Sequence, residues 1–145
     1  MVTASIATYA EKVAVLPEEF PNVQLIYLFG SRVDGRVGPM SDVDFAVLLA
    51  HGTYTFDTQA RLHHRLQQLI GKPRVDLVVL NRAPIELAYA IIAEGAVLYA
   101  QDLYTRVEYE AQVMSRYGDY LPVLRAQRRD ILKGGDDAQR VQRYR

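Results

Sequence analysis

The chain has 145 residues, of which 50% are apolar and 23% charged, a composition that suits one globular domain and excludes a disordered or low-complexity chain. Its 17 Lys and Arg balance 17 Asp and Glu, so net charge supplies no general pull toward nucleic acid or an anionic membrane, and neither is expected as a direct partner. With no cysteine, a disulfide framework and a thiolate zinc site are both excluded.

The opening MVTASIATYAEKVAVL lacks a basic n-region and carries Glu11 and Lys12 within its apolar stretch, which argues against a signal peptide. No apolar run approaches the ~20 residues of a membrane span, so a cytoplasmic protein is expected. Charge is unevenly spread. Residues 125–145 hold seven basic against three acidic residues, a net +4 tail behind a net −4 body.

In chain order, Ile6, Tyr9, Ala10 and Val13 recur at helical spacing, predicting a helix over residues 3–16 that Pro17 stops. Val23 to Phe29 is β-branched and aromatic over strand length, and Gly30-Ser31 ends it in a tight turn. A polar, Gly-rich loop, 32–41, leads to a second strand, Val43 to Leu49, whose entrance carries Asp42 and Asp44. Phe56 to Ile70 places Leu62, Leu66, Leu69 and Ile70 on one face ahead of Gly71, an amphipathic helix with its C-terminal stop. Val75 to Leu80 is a third strand containing Asp76, Pro84 to Glu94 a helix closed by Gly95, and Val97 to Ala100 a short fourth strand. Residues 103–132 read as helical, with Gly118 and Pro122 predicting two helices or a kinked one. The alternation implies an α/β domain (α+β, mixed sheet): a small mixed β-sheet flanked by helices, with C-terminal helices.

The chemistry concentrates in three places. Gly30-Ser31 closes one strand, ten residues intervene, Asp42-Val43-Asp44 opens the next, and Asp76 interrupts the apolar third. Residues i and i+2 of a strand share a face, so Asp42 and Asp44 present two carboxylates with Cα atoms roughly 6 to 7 Å apart. Adjacent anions raise each other's pKa unless a cation lies between them. Hard oxygen ligands with room for water and phosphate suit Mg2+. Asp76, expected to be buried among Val75, Leu77 and Val78, then holds a second ion or serves as the base for an acceptor hydroxyl. Gly30 allows close backbone approach to a phosphate, and the Ser31 hydroxyl with the following N–H groups can bond its oxygens. Together the parts match phosphoryl transfer. His63 and His64 point about 100° apart on a helix and are not expected to chelate. The ten tyrosines are scattered and tryptophan is absent, which gives no base-stacking platform.

Leu28-Phe29-Gly30-Ser31 followed by Ser41-Asp42-Val43-Asp44-Phe45 resembles the signature of the minimal nucleotidyltransferases of the DNA polymerase β superfamily. Val75 to Leu80 is similar to that family's third carboxylate strand, and Ile92 to Tyr99 to its closing helix and strand, so the resemblance covers residues 20–105. Beyond it, Arg106, Tyr109, Arg116, Tyr117, Asp119, Tyr120 and Pro122 look like the MntA-type antitoxins of HEPN/MNT toxin–antitoxin systems. The resemblance implies a single domain over 1–145, with the catalytic core in 20–105 and a helical extension and basic tail in 103–145. It implies that Gly30, Ser31 and Arg32 hold the triphosphate of ATP, and that Asp42, Asp44 and Asp76 form the catalytic, Mg2+-binding set, for a pair of ions. The implied reaction moves AMP onto a tyrosine hydroxyl of a HEPN-domain ribonuclease toxin, neutralising it in a hetero-oligomer. Two other readings stay open: the same chemistry on a small molecule or an RNA 3′ end, and an antitoxin that neutralises by binding alone. Tyr104, Tyr109, Tyr117 and Tyr120, interleaved with Arg106, Arg116 and Arg125, are expected to line the partner surface.

Overall fold

A computed structural model describes residues 2–30, 33, 42–72 and 74–133, with side chains from residue 6 onward. Ser31, Arg32, most of the loop to Ser41 and the basic tail from residue 134 lie outside the described residues. The element order is α1 (Val2–Lys12), α2 (Leu16–Glu19), β1 (Val23–Phe29), β2 (Val43–Leu49), α3 (Phe56–Ile70), β3 (Val75–Val79), a 3-10 turn (Leu80–Arg82), α4 (Ile85–Glu94), β4 (Ala96–Ala100) and α5 (Leu103–Lys133). The strands form one sheet in the order β3-β2-β1-β4. β1 runs antiparallel to β2 and β4, whereas β2 and β3 are parallel.

Strand alternation divides the core into two layers. Val43, Phe45, Val47 and Leu49 pack with Tyr9 of α1, with Val13 in the turn after it, and with Leu62, Leu66 and Ile70 of α3. Tyr9 meets Phe45 edge-on at 6.1 Å between ring centres. On the opposite face Leu25, Tyr27 and Ala46 pack with Ala88 and Ile91 of α4 and Val113 of α5. Each fully buried Leu or Ile contributes on the order of 1.5–3 kcal/mol by leaving water.

α3 starts at Thr55, whose hydroxyl accepts from the Thr58 N–H at 3.0 Å, and stops at Gly71 with φ +80°. Side chains then fasten it to β3. Gln67 accepts from the Val75 N–H and donates to the Gly71 carbonyl, both at 2.7 Å, and His63 donates a ring N–H to the Val75 carbonyl at 2.7 Å. Asn81 does the same for β2, accepting from Leu49 N–H at 2.9 Å and donating to its carbonyl at 2.8 Å. Gly95 links α4 to β4 in close quarters, since a Cβ there would stand 2.9 Å from the Leu28 carbonyl oxygen.

Two expectations need correction. Pro17 does not terminate the first helix: α1 ends at Lys12, and Pro17 lies in the first turn of α2, where its missing N–H costs nothing. Of the two alternatives for the C-terminal segment, two helices is the one overturned: it is one continuous helix of 31 residues that contains Pro122. The carbonyl that the Pro122 ring crowds belongs to Gly118, an exposed residue without a side chain, which leaves the backbone free to adjust and to be solvated. Packing spans the weak point. Tyr117 stacks on Tyr89 of α4 at 3.9 Å, and Tyr120 bonds Glu86, also on α4. Nearer its start α5 is tied to the sheet by Glu110, which accepts from the buried Tyr27 hydroxyl at 2.6 Å and from Arg106 Nε at 3.1 Å.

Candidate active site

The site is assembled at one end of β1, β2 and β3. Asp44 is the register partner of Phe29 on β1 and of Asp76 on β3. Val43 and Val75, fully buried against the α3 layer, fix the phase of both strands. Alternation therefore sends Asp42, Asp44 and Asp76 to the opposite face, and parallel pairing sets Asp44 and Asp76 side by side. Gly30 completes the arrangement. It has φ +80°, and a Cβ on it would overlap the Asp44 carboxylate, so this position needs glycine for its conformation and for space. The Val33 N–H donates to the Gly30 carbonyl at 3.1 Å, directly after β1.

Electrostatics follow from this crowding. Burial, then the charge of Asp76, then that of Asp42 raise the pKa of Asp44 above its ordinary value. Asp76 itself is not buried, contrary to expectation: its side chain is 42% exposed, and Arg74 reaches its Oδ1 at 3.5 Å. The reason is position. β3 is an edge strand of the sheet, and the helices of this face pack on β1 and β4 rather than over it. A hollow of about 160 Å3 opens beside Gly30, walled by Phe29, Val33, Leu87, Ile91 and Glu94.

Among the described residues no three carboxylate or imidazole groups form a ready-made metal cage. Mg2+ does not require one, because it binds through one or two carboxylates and completes its octahedron with water and substrate phosphate. Oxygen donors crowded enough to raise the pKa of Asp44 fit such an ion, which would relieve the repulsion. Ser31 and Arg32 lie outside the described residues, so Gly30, Asp42, Asp44 and Asp76 are the predicted site residues that the structure brings together. His63 is spent on the Val75 carbonyl. Arg74 was missed by the sequence reading, although it shares a face with Asp76 two residues away. Gln67 and Asn81 carried no local signal, since their partners are backbone groups reached through the fold.

Residues 11–104 match the family described as Polymerase beta, Nucleotidyltransferase. A protein adenylyltransferase MntA from Shewanella oneidensis is 37% identical over 89 residues, which span 60% of this chain and 61% of that protein, less than two thirds of its length. A second protein adenylyltransferase MntA, from Aphanizomenon flos-aquae, is 30% identical over 105 residues, 67% of this chain and 70% of that one. Among solved structures, a toxin–antitoxin with AMP-PNP superposes with TM-score 0.70 at 30% identity, covering 90% of this chain and 98% of that chain. A tri-AMPylated Shewanella oneidensis HEPN toxin in complex with MNT antitoxin matches with TM-score 0.65 at 27% identity, covering 96% and 99%.

Proposed function

The chain belongs to the polymerase β nucleotidyltransferase family, and from that premise we propose that it transfers AMP from ATP to a tyrosine hydroxyl of a HEPN-domain toxin, neutralising it. The observation that carries the reading is the Asp44–Asp76 register pair with Gly30 closed against Asp44. The resemblance to two protein adenylyltransferases and to toxin–antitoxin structures, one with AMP-PNP, supplies the nucleotide and the acceptor class.

In this mechanism the tyrosine oxygen attacks the α-phosphorus of ATP, the new P–O bond forms, and the bond to the β-phosphate bridge breaks, releasing pyrophosphate. Asp42 and Asp44, with Asp76 beside them, would hold Mg2+, which supplies charge neutralisation for the triphosphate and the attacking oxygen. Asp76 is half exposed and open to an incoming acceptor, so it takes the hydroxyl proton. Gly30, with Ser31 and Arg32 following it, lets the backbone approach the phosphates, and the hollow beside it accommodates substrate.

Partner docking falls to α5. Leu103, Val107 and Met114 lie on one stripe of this helix and are 72%, 57% and 54% exposed. From Gln127 to Lys133 every residue is exposed, with Arg128 and Arg129 among them. Of the tyrosines expected at this surface, Tyr104 is exposed, whereas Tyr109 packs on the second core layer and Tyr117 and Tyr120 are engaged by α4. No helix of the described residues is long and apolar enough to cross a membrane, and a chain without cysteine suits a reducing cytoplasm.

The deciding experiment incubates the protein with its genome-adjacent HEPN partner, ATP and Mg2+, and reads the partner by peptide mass spectrometry. AMP on a partner tyrosine is expected. An unmodified partner, with label on an RNA end or a small molecule, overturns the reading.

A further inference from the structure

At the end of the strands opposite the carboxylates, a cleft of about 790 Å3 opens between the turn after β2 and α5. Leu48 and Leu80 are part of its lining. Leu48 is in phase with Asp44 four residues earlier, so the cleft lies on the carboxylate face, roughly 13 Å further along β2. It is therefore separate from the site described above.

Its chemistry is that of an anion site. Arg82 and Arg116 both line the cleft, and neither has a carboxylate partner among the described residues. Arg82 is held in place over the Tyr54 ring, 5.1 Å from its centre. Glu108, the acidic residue of the lining, is engaged by the Tyr104 hydroxyl. Tyr109 also lines the cleft, and its hydroxyl is buried with no hydrogen-bond partner among the described residues. A buried hydroxyl left unpaired opposes folding. The planar fork of a guanidinium can clasp a phosphate, and the lining holds two of them. The volume is far larger than a bare anion needs and lies in the range of small-molecule sites. The side-chain amides of Gln24 and Gln112 add donors and acceptors suited to a base edge.

We propose that this cleft is a second nucleotide site, binding the AMP group through Arg82 and Arg116. It takes AMP either free or already esterified to a tyrosine. The choice of AMP rests on the transfer reading above, whereas the anion chemistry does not.

The test is an amide NMR titration of the whole protein in EDTA, with AMP in one arm and N-acetyl-O-adenylyl-tyrosine amide in the other. Saturable shifts at Gly52, beside the cleft, with Gly30 unmoved, are expected in at least one arm. The arm that binds more tightly identifies the source. Arg116→Ala and Arg82→Ala should each weaken binding about tenfold, the loss of one charge-assisted contact, and Arg82→Ala should leave AMP transfer to the partner intact. Gly52 unmoved at millimolar concentration in both arms overturns the proposal, as does undiminished binding by both variants or a response to an acidic peptide alone. Transfer is scored separately. Transfer without a Gly52 response sinks the second site and spares the activity, and a Gly52 response without transfer does the reverse.

Discussion

Gly30 and Asp44 sit close together at the ends of β1 and β2: a Cβ on the glycine, whose φ is +80°, would overlap the Asp44 carboxylate. Gly30→Ala therefore carries two penalties. The positive φ alone costs about 1–2 kcal/mol for an L residue with a Cβ. In addition the carboxylate must swing away from its place beside Asp76, and misplacement of a reacting group by about 1 Å costs on the order of a hundredfold in rate. A lowered melting temperature and transfer reduced on that scale are expected, measured by thermal denaturation and AMP incorporation. Near-native transfer by the alanine variant would show that Asp44 does not depend on this contact.

Asp44 also makes stability depend on pH. Burial, Asp76 and Asp42 raise its folded pKa, so its ionisation opposes folding. Below the unfolded value of about 4 both states are protonated and the penalty is absent; it develops as pH climbs through the raised folded value. Asp44→Asn cannot ionise. In EDTA at pH 7 it should melt at a higher temperature than the native chain, and the gap should shrink toward pH 4. Mg2+ with ATP should stabilise the native chain and not the variant, and the variant should lose AMP transfer. A variant that melts below the native chain at pH 7 in EDTA would rule out this account.

Much of this site was legible in the sequence. The limits expected for β1, β2 and α3 coincide with those observed, because β-branched runs end at Gly30, the Asp-x-Asp entrance and Gly71. Strand alternation alone puts Asp42 and Asp44 on one face. The adjacency of Asp44 and Asp76 was not legible, since it depends on the parallel β2–β3 register, a long-range pairing without local trace. The exposure of Asp76 follows from β3 being an edge strand that the helices of this face leave uncovered, which topology decides and composition does not. The stacking of Tyr117 on Tyr89 was not legible, because it depends on how α5 folds back against α4 across β4.

Tyr27 shows how α5 is held. Burial and the neighbouring Glu110 push its phenol well above the usual tyrosine range, so it stays a donor to Glu110 at all working pH values. Tyr27→Phe removes a hydrogen bond to a charged group and should lower stability by about 1.5–3 kcal/mol in urea denaturation. Glu110→Ala should cost more, since it strands both the buried hydroxyl and Arg106. Equal stabilities for the native chain and Tyr27→Phe would mean that apolar packing, not this bond, fastens the helix.

The exposed stripe of α5 tests where the partner sits. Leu103, Val107 and Met114 contribute little to folding in the free chain because water already reaches them. Val107→Asp together with Met114→Asp should therefore leave the melting temperature nearly unchanged. Partner binding should weaken by at least about 1 kcal/mol for each residue that lies at the centre of the contact. Arg128→Glu with Arg129→Glu acts differently. Exposed charges at an interface rim alter encounter more than holding, so slower association and a changed salt dependence are expected, with dissociation little affected. Calorimetry at two salt concentrations with stopped-flow association separates these effects. AMP transfer to a free tyrosine peptide should be the same for all four substitutions, because none touches the carboxylates. An unaltered Kd in the doubly substituted Asp variant would mean that the toxin docks elsewhere and that this face of α5 is simply solvated.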